Sequence, residues 1–160
     1  MRGMSTTSFV HSTKRPANVF AVRLPMADSA LEPAELAFLR ALNELGVRFL
    51  VVGVTAASMQ GARVATEDVD LWFEDLGDHG KLGDRFDVVL TMSGLDDFAT
   101  EYARSKQMEL DGIALRVLPL ERVIASKRKA NRPKDQAALP ALEAALAVAE
   151  DESGGPPKQS

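Results

Sequence analysis

Apolar residues recur along this chain with two periods, one suited to helices and one to strands, and from residue 28 onward they predict an α/β order. Residues 29–46, SALEPAELAFLRALNELG, set Leu36, Leu39, Leu42 and Leu45 along one side. A capping-box spacing from Ser29 to Glu32, Pro33 in the first turn and Gly46 at the end bound this segment as a helix. The nearly continuous apolar run at 47–54, VRFLVVGV, reads as a central strand buried on both faces. A short helix over 55–60 closed by Gly61, a strand over 67–73 (EDVDLWF) and a strand over 85–92 (RFDVVLTM) follow. The turn-rich link between these two strands, EDLGDHGKLGD, predicts an antiparallel hairpin. GLDDFATEYARSKQ predicts a helix capped at Asp96 or Asp97, and IALRVLP a further strand. LERVIASKRKA and DQAALPALEAALAVAE predict two C-terminal helices separated at Asn131-Arg132-Pro133.

At both ends this patterning stops. Residues 1–27 are rich in Ser, Thr and Pro, with Arg2, Lys14, Arg15 and Arg23 and no acid, and read as a flexible leader with Met26 as an alternative start. Residues 151–160, DESGGPPKQS, hold nothing able to join a core and read as a disordered tail. One domain over 28–150 is therefore expected, and a chain of 160 residues suffices for a single core. With 46% hydrophobic and 26% charged residues, the composition is that of an ordinary globular protein. The absence of cysteine excludes disulfides, thiolate zinc sites, iron–sulfur clusters and a cysteine nucleophile, and fits a cytoplasmic location. No apolar run approaches the roughly 18 residues of a membrane span, so no membrane partner is expected. A net charge of -4 means that a nucleic-acid partner would need a local basic patch.

Chemistry concentrates in GVTAASMQGARVATEDVDLWF, residues 53–73. On a strand Asp68 and Asp70 point the same way, about 6.5–7 Å apart along the backbone. Carboxylates among Val69, Leu71 and Trp72 are unfavourable unless paired or bound to a metal. Asp87, between Phe86 and Val88 on the next strand, brings a third acid if the two strands pair. Three convergent carboxylates suit Mg2+ or Mn2+, the apparatus of phosphoryl or nucleotidyl transfer. Upstream, Gly53 ends a buried strand and opens a helix, where free N–H groups can cradle phosphate, and Thr55 and Ser58 can add hydroxyl donors.

VVGVTAASMQGARVATEDVDLWF resembles the minimal nucleotidyltransferase superfamily. That pattern is an apolar strand, Gly-Gly or Gly-Ser, a short helix ending in an aromatic or His plus Gly, then Arg-x-Thr-x-Asp-hydrophobic-Asp. It looks most like the bacterial subgroup of abortive-infection and toxin–antitoxin nucleotidyltransferases. FDVVLTMSGLDDFATEYARS is similar to that group's third-acid strand and helix, and VLPLERVIASKRKANRPKDQAALPAL to its ending. The resemblance spans about residues 45–145 and implies a nucleotidyltransferase-like fold: a small mixed β-sheet flanked by α-helices, with a C-terminal helical pair. It implies metal roles for Asp68 and Asp70, the third-acid role for Asp87, and nucleotide contact by Gly53, Arg63 and Lys127. The implied activity moves a nucleoside monophosphate from a nucleoside triphosphate (NTP) to a hydroxyl of tRNA, a protein or a small molecule. A partner chain of a toxin–antitoxin pair is implied as well. The chain departs from the pattern at Val54, which replaces the second small residue, at Gln60, where the group commonly has His, and at Arg63, displaced by one position.

Other readings stand beside this one. A nucleotidyltransferase-fold domain that binds a partner and catalyses nothing accounts for Val54, and three surface acids on an edge hairpin account for the aspartates. A calcium loop fails because Trp72 and Phe73 occupy positions that need a ligand and a glycine. GDHGKLG is a turn, since its glycine spacing is not that of a P-loop. The cluster Arg122, Lys127, Arg128, Lys129, Arg132 and Lys134 is a solvated helix face, or a surface for triphosphate or an RNA backbone. Asp135 reads as a helix cap, Trp72 and Tyr102 as packing residues, and His11 and His79 as isolated side chains.

Overall fold

The computed structural model of the chain describes residues 31–66, 68–75 and 86–154. The expected leader, the Ser29 cap, the turn at Gly80 and both histidines lie outside the described residues. Among the described residues the order is α1 (Pro33–Glu44), β1 (Phe49–Val51), α2 (Gly53–Met59), β2 (Val69–Phe73), β3 (Phe86–Val89), α3 (Phe98–Arg104), β4 (Lys106–Leu110), β5 (Ile113–Val117), α4 (Leu120–Ala130) and α5 (Pro133–Gly154). This is a mixed α/β architecture with one five-stranded sheet in the order β3-β2-β1-β5-β4. No described helix is long and apolar enough to cross a membrane.

Local chemistry sets the helix ends. α1 begins at a reciprocal box between Glu32 and Glu35, with Pro33 at its first position. It ends at Gly46, whose φ of 69° lets Val47 N–H reach Leu42 O at 3.0 Å and Gly46 N–H reach Asn43 O at 3.1 Å. That turn carries Leu45 out of the expected apolar row: Leu39 and Leu42 are buried, while Leu45 is 78% exposed. The Asp97 side chain accepts from Thr100 N–H and caps α3 as expected. Asn131, at φ 52°, breaks the chain between α4 and α5. α5 continues through residues 151–154, so helix replaces the first part of the expected tail.

Two expectations about the sheet are overturned. β2 and β3 are parallel rather than a hairpin, with Asp70 opposite Asp87 and Leu71 opposite Val88. A parallel pair needs a crossover of about a dozen residues or more, and the connection across 74–85 is long enough for one. The helix expected to continue through Gln107 instead stops at Arg104, and Lys106–Leu110 forms edge strand β4, antiparallel to β5. Its turn is Asp111-Gly112, both at positive φ, the two-residue connection whose twist matches paired strands.

The central strand is β1, shorter than the apolar run that announces it because Gly53 and Val54 already belong to α2. β1 lies antiparallel to β2 and parallel to β5, and its Leu50 and Val51 are buried with Leu71, Val117, Leu118 and Leu142. Trp72 packs edge-on against Phe98, with ring centres 5.5 Å apart, and its Nε1 donates to Leu90 O. Tyr102 lies under the Arg48 guanidinium at 4.5 Å. Both aromatic residues pack as expected. The ends of β2 and β3 that carry aspartates meet the start of α2, and the site is built there.

Candidate functional site

Asp70 lies in β2 between the buried Val69 and Leu71, and is itself half-buried. Parallel pairing sets Asp87 of β3 beside it, and side-by-side residues of neighbouring strands share a face. Asp68, just before β2, is exposed, as is Asp87. All three border one cavity of about 830 Å³. No set of three His, Cys, Asp or Glu side chains is gathered at metal-ligating distances among the described residues.

Gly53 fits tightly against this acid. Its φ is 62°, and a Cβ built there would lie 1.9 Å from Asp70 Oδ2. Val52 N–H donates to Asp70 O at 3.0 Å, stitching the entry of α2 to β2. Burial raises the Asp70 carboxyl above the usual range, the Asp87 charge adds to this, Lys127 and Lys134 oppose it, and Asp68 raises it further.

The same cavity is bordered by Lys127 of α4 and by Arg132 and Lys134. Behind them is Asp135, whose side chain has no solvent exposure. Lys127 Nζ lies 2.9 Å from Asp135 Oδ1, and Arg132 Nε lies 2.6 Å from Asp135 Oδ2. Burial alone would raise the Asp135 carboxyl, but hydrogen bonds from Arg132 and Lys127 outweigh it and hold the group below the usual carboxylate range. Asp135 thus anchors two cations rather than capping α5. The sequence holds a signal for this, an acid just after the break that follows Lys127 and close behind Arg132, but it shows neither burial nor pairing.

A second buried acid shapes the loop after β3, whose Thr91, Met92 and Ser93 form part of the cavity wall. Glu101 of α3 has no solvent exposure and accepts from Asp96 N–H at 3.1 Å. Arg122 of α4 donates to both its oxygens, through Nε at 3.1 and 3.0 Å and through NH2. The loop and α4 are thereby tied to one carboxylate.

Other expected contacts go elsewhere. Thr55 Oγ1 donates to Asp68 O at 3.0 Å and Ser58 Oγ to Val64 O at 3.0 Å, so both hydroxyl protons hold the 62–68 segment to α2. Neither residue borders the acid cavity, whereas Gly53 and Val54 do. Arg63 borders a separate cavity of about 930 Å³, with Lys106 and Glu152 on its rim. Gln60 Nε2 donates to Ala56 O and Leu118 O, and its Oε1 accepts from Leu120 N–H, so its amide clips α2 to the β5–α4 connection. The acids, Gly53 and Lys127 are brought together; Thr55, Ser58 and Arg63 stand apart. Compared with protein-family models and with curated proteins, the chain matches none.

Proposed function

We propose that this chain has a nucleotidyltransferase-like fold and moves a nucleoside monophosphate from an NTP to a hydroxyl acceptor, releasing pyrophosphate. The observation that carries this reading is a single cavity bordered both by Asp68, Asp70 and Asp87 and by Lys127, Arg132 and Lys134. A metal-bound polyphosphate presents cation and anion together and complements both sets of charges, whereas a bare cation or bare anion complements only one.

The donor set fits Mg2+ or Mn2+. It consists of carboxylate oxygens alone, Asp70 and Asp87 are side by side, and the missing Cβ at Gly53 leaves the Asp70 carboxylate its space. Asp70 and Asp87, with Asp68, would hold the ion. Bound there, a divalent cation supplies charge neutralisation for the phosphates and makes the acceptor hydroxyl more acidic. Asp87 accepts the hydroxyl proton. The acceptor oxygen bonds to the α-phosphorus as the bond from that phosphorus to the bridging oxygen breaks, and the electron pair leaves on pyrophosphate. Lys127, fixed by Asp135, faces the negative charge that builds on the leaving group.

Incubation with Mg2+ and each α-labelled NTP tests the assignment. The wild-type protein transfers label to an acceptor pool of tRNA, protein and small hydroxyl compounds, and Asp70→Asn does so at background level while keeping its circular dichroism. Equal transfer by the two proteins would sink the assignment.

The second reading, a partner-binding domain such as one half of a toxin–antitoxin pair, is favoured by the donors near Gly53. The Thr55 and Ser58 hydroxyls are engaged with backbone carbonyls, and Val54 stands at the cavity wall. Calorimetry separates the readings, since a partner-binding domain takes up no NTP with or without Mg2+.

A further inference from the structure

The first turn of α5 carries a charge that no direct anionic partner meets among the described residues. α5 starts at Pro133, so Lys134 sits where the helix presents its own positive partial charge and a cation is disfavoured. Its basic neighbours are compensated, because Arg132 and Lys127 both bond to the buried Asp135 carboxylate. Lys134 is exposed and, among the described residues, takes part in no hydrogen bond or ion pair. It nevertheless borders the acid-lined cavity, near enough for its charge to act on Asp70.

We propose that Lys134 grips the outer phosphates of the triphosphate, an assignment that rests on the nucleotidyltransferase reading. The reacting α-phosphate must lie against the acids, and the phosphates that leave carry negative charge that the basic residues of the same cavity can meet. Lys127 is the less adaptable of the two lysines there: its side chain is 12% exposed, and moving its ammonium away would strip a buried carboxylate of a partner. Lys134 has a four-carbon stem and no bond to break before it meets an anion. A ligand phosphate supplies the direct anionic partner that Lys134 lacks among the described residues.

Calorimetry on the full chain in Mg2+ compares an NTP with the corresponding nucleoside monophosphate for wild type, Lys134→Gln and Lys134→Arg. Lys134→Gln should bind the NTP roughly ten- to a hundredfold more weakly, the loss of one charged hydrogen bond, with little change for the monophosphate. Lys134→Arg should stay within a few fold of wild type, and Lys134→Gln should keep a melting temperature close to wild type. NTP affinity unchanged in Lys134→Gln, an equal loss for mono- and triphosphate, or a large drop in melting temperature would each overturn the assignment while leaving the nucleotidyltransferase reading intact. A wild-type protein that binds no NTP would remove both.

Discussion

Gly53 and Asp70 leave no room for a side chain between them: a Cβ on Gly53 would fall 1.9 Å from Asp70 Oδ2, and the Gly53 backbone is already at φ 62°. The acid therefore occupies space that only glycine at this position leaves open. Gly53→Ala should destabilise the protein by about 1–2 kcal/mol from the left-handed backbone alone, and more from displacing Asp70. Urea denaturation measures the change in midpoint. An unchanged midpoint would mean that Asp70 moves aside freely.

Replacing Asp70 by Asn should separate stability from the proposed chemistry. Its carboxyl is raised by burial and by Asp87, so its ionisation disfavours the folded state. The stability linked to this group is complete below the unfolded carboxyl value and is lost as pH rises through the raised folded value. Asp70→Asn, uncharged throughout, should be at least as stable as wild type at neutral pH, with its advantage shrinking as the pH falls into the carboxyl range. Denaturant midpoints from acid to neutral pH check the slope. A wild-type protein more stable than the variant at neutral pH would contradict it.

The sequence made the acids legible because they interrupt apolar strands, and Gly53 because it separates a buried strand from a helix. It also located the Asp97 cap and the break at Asn131, both decided by neighbours in sequence. The direction of β3 was not legible, since turn residues between two strands do not distinguish a tight hairpin from a crossover. β4 was missed because its alternation is short, with only Met108 and Leu110 turned to the core between exposed Gln107 and Glu109; Asp111-Gly112 was its clearest signal. Thr55 and Ser58 were read as ligand donors because their carbonyl partners, Asp68 and Val64, approach only through the fold.

Gln60 illustrates the same limit with a larger consequence for stability. Judged by sequence it is a departure from the His of the nucleotidyltransferase pattern, yet its amide answers three backbone groups at Ala56, Leu118 and Leu120. Gln60→Leu keeps the volume and leaves those groups without their partner, and should destabilise the protein by about 1–3 kcal/mol. Hydrogen exchange should accelerate at the Leu120 amide before amides in β1 and β5 respond. Unchanged exchange there would show that water replaces the side chain without penalty.

Asp135 should govern both acid stability and the charge of the basic wall. Its folded carboxyl lies below the usual range because Arg132 and Lys127 outweigh burial, so its stabilising contribution is present above the unfolded value and is lost as pH falls through the folded one. Asp135→Ala leaves Lys127, with little exposure, beside Arg132 and without their shared counter-charge. The loss should be about 3 kcal/mol at neutral pH, the low end for breaking a buried pair because Arg132 still reaches water. The gap between wild type and variant should close as the pH falls below the ordinary carboxyl range, since protonation removes the same charge from the wild type. Paired urea titrations from neutral to strongly acid pH measure that convergence. A gap independent of pH would show that Asp135 acts through packing rather than through its charge.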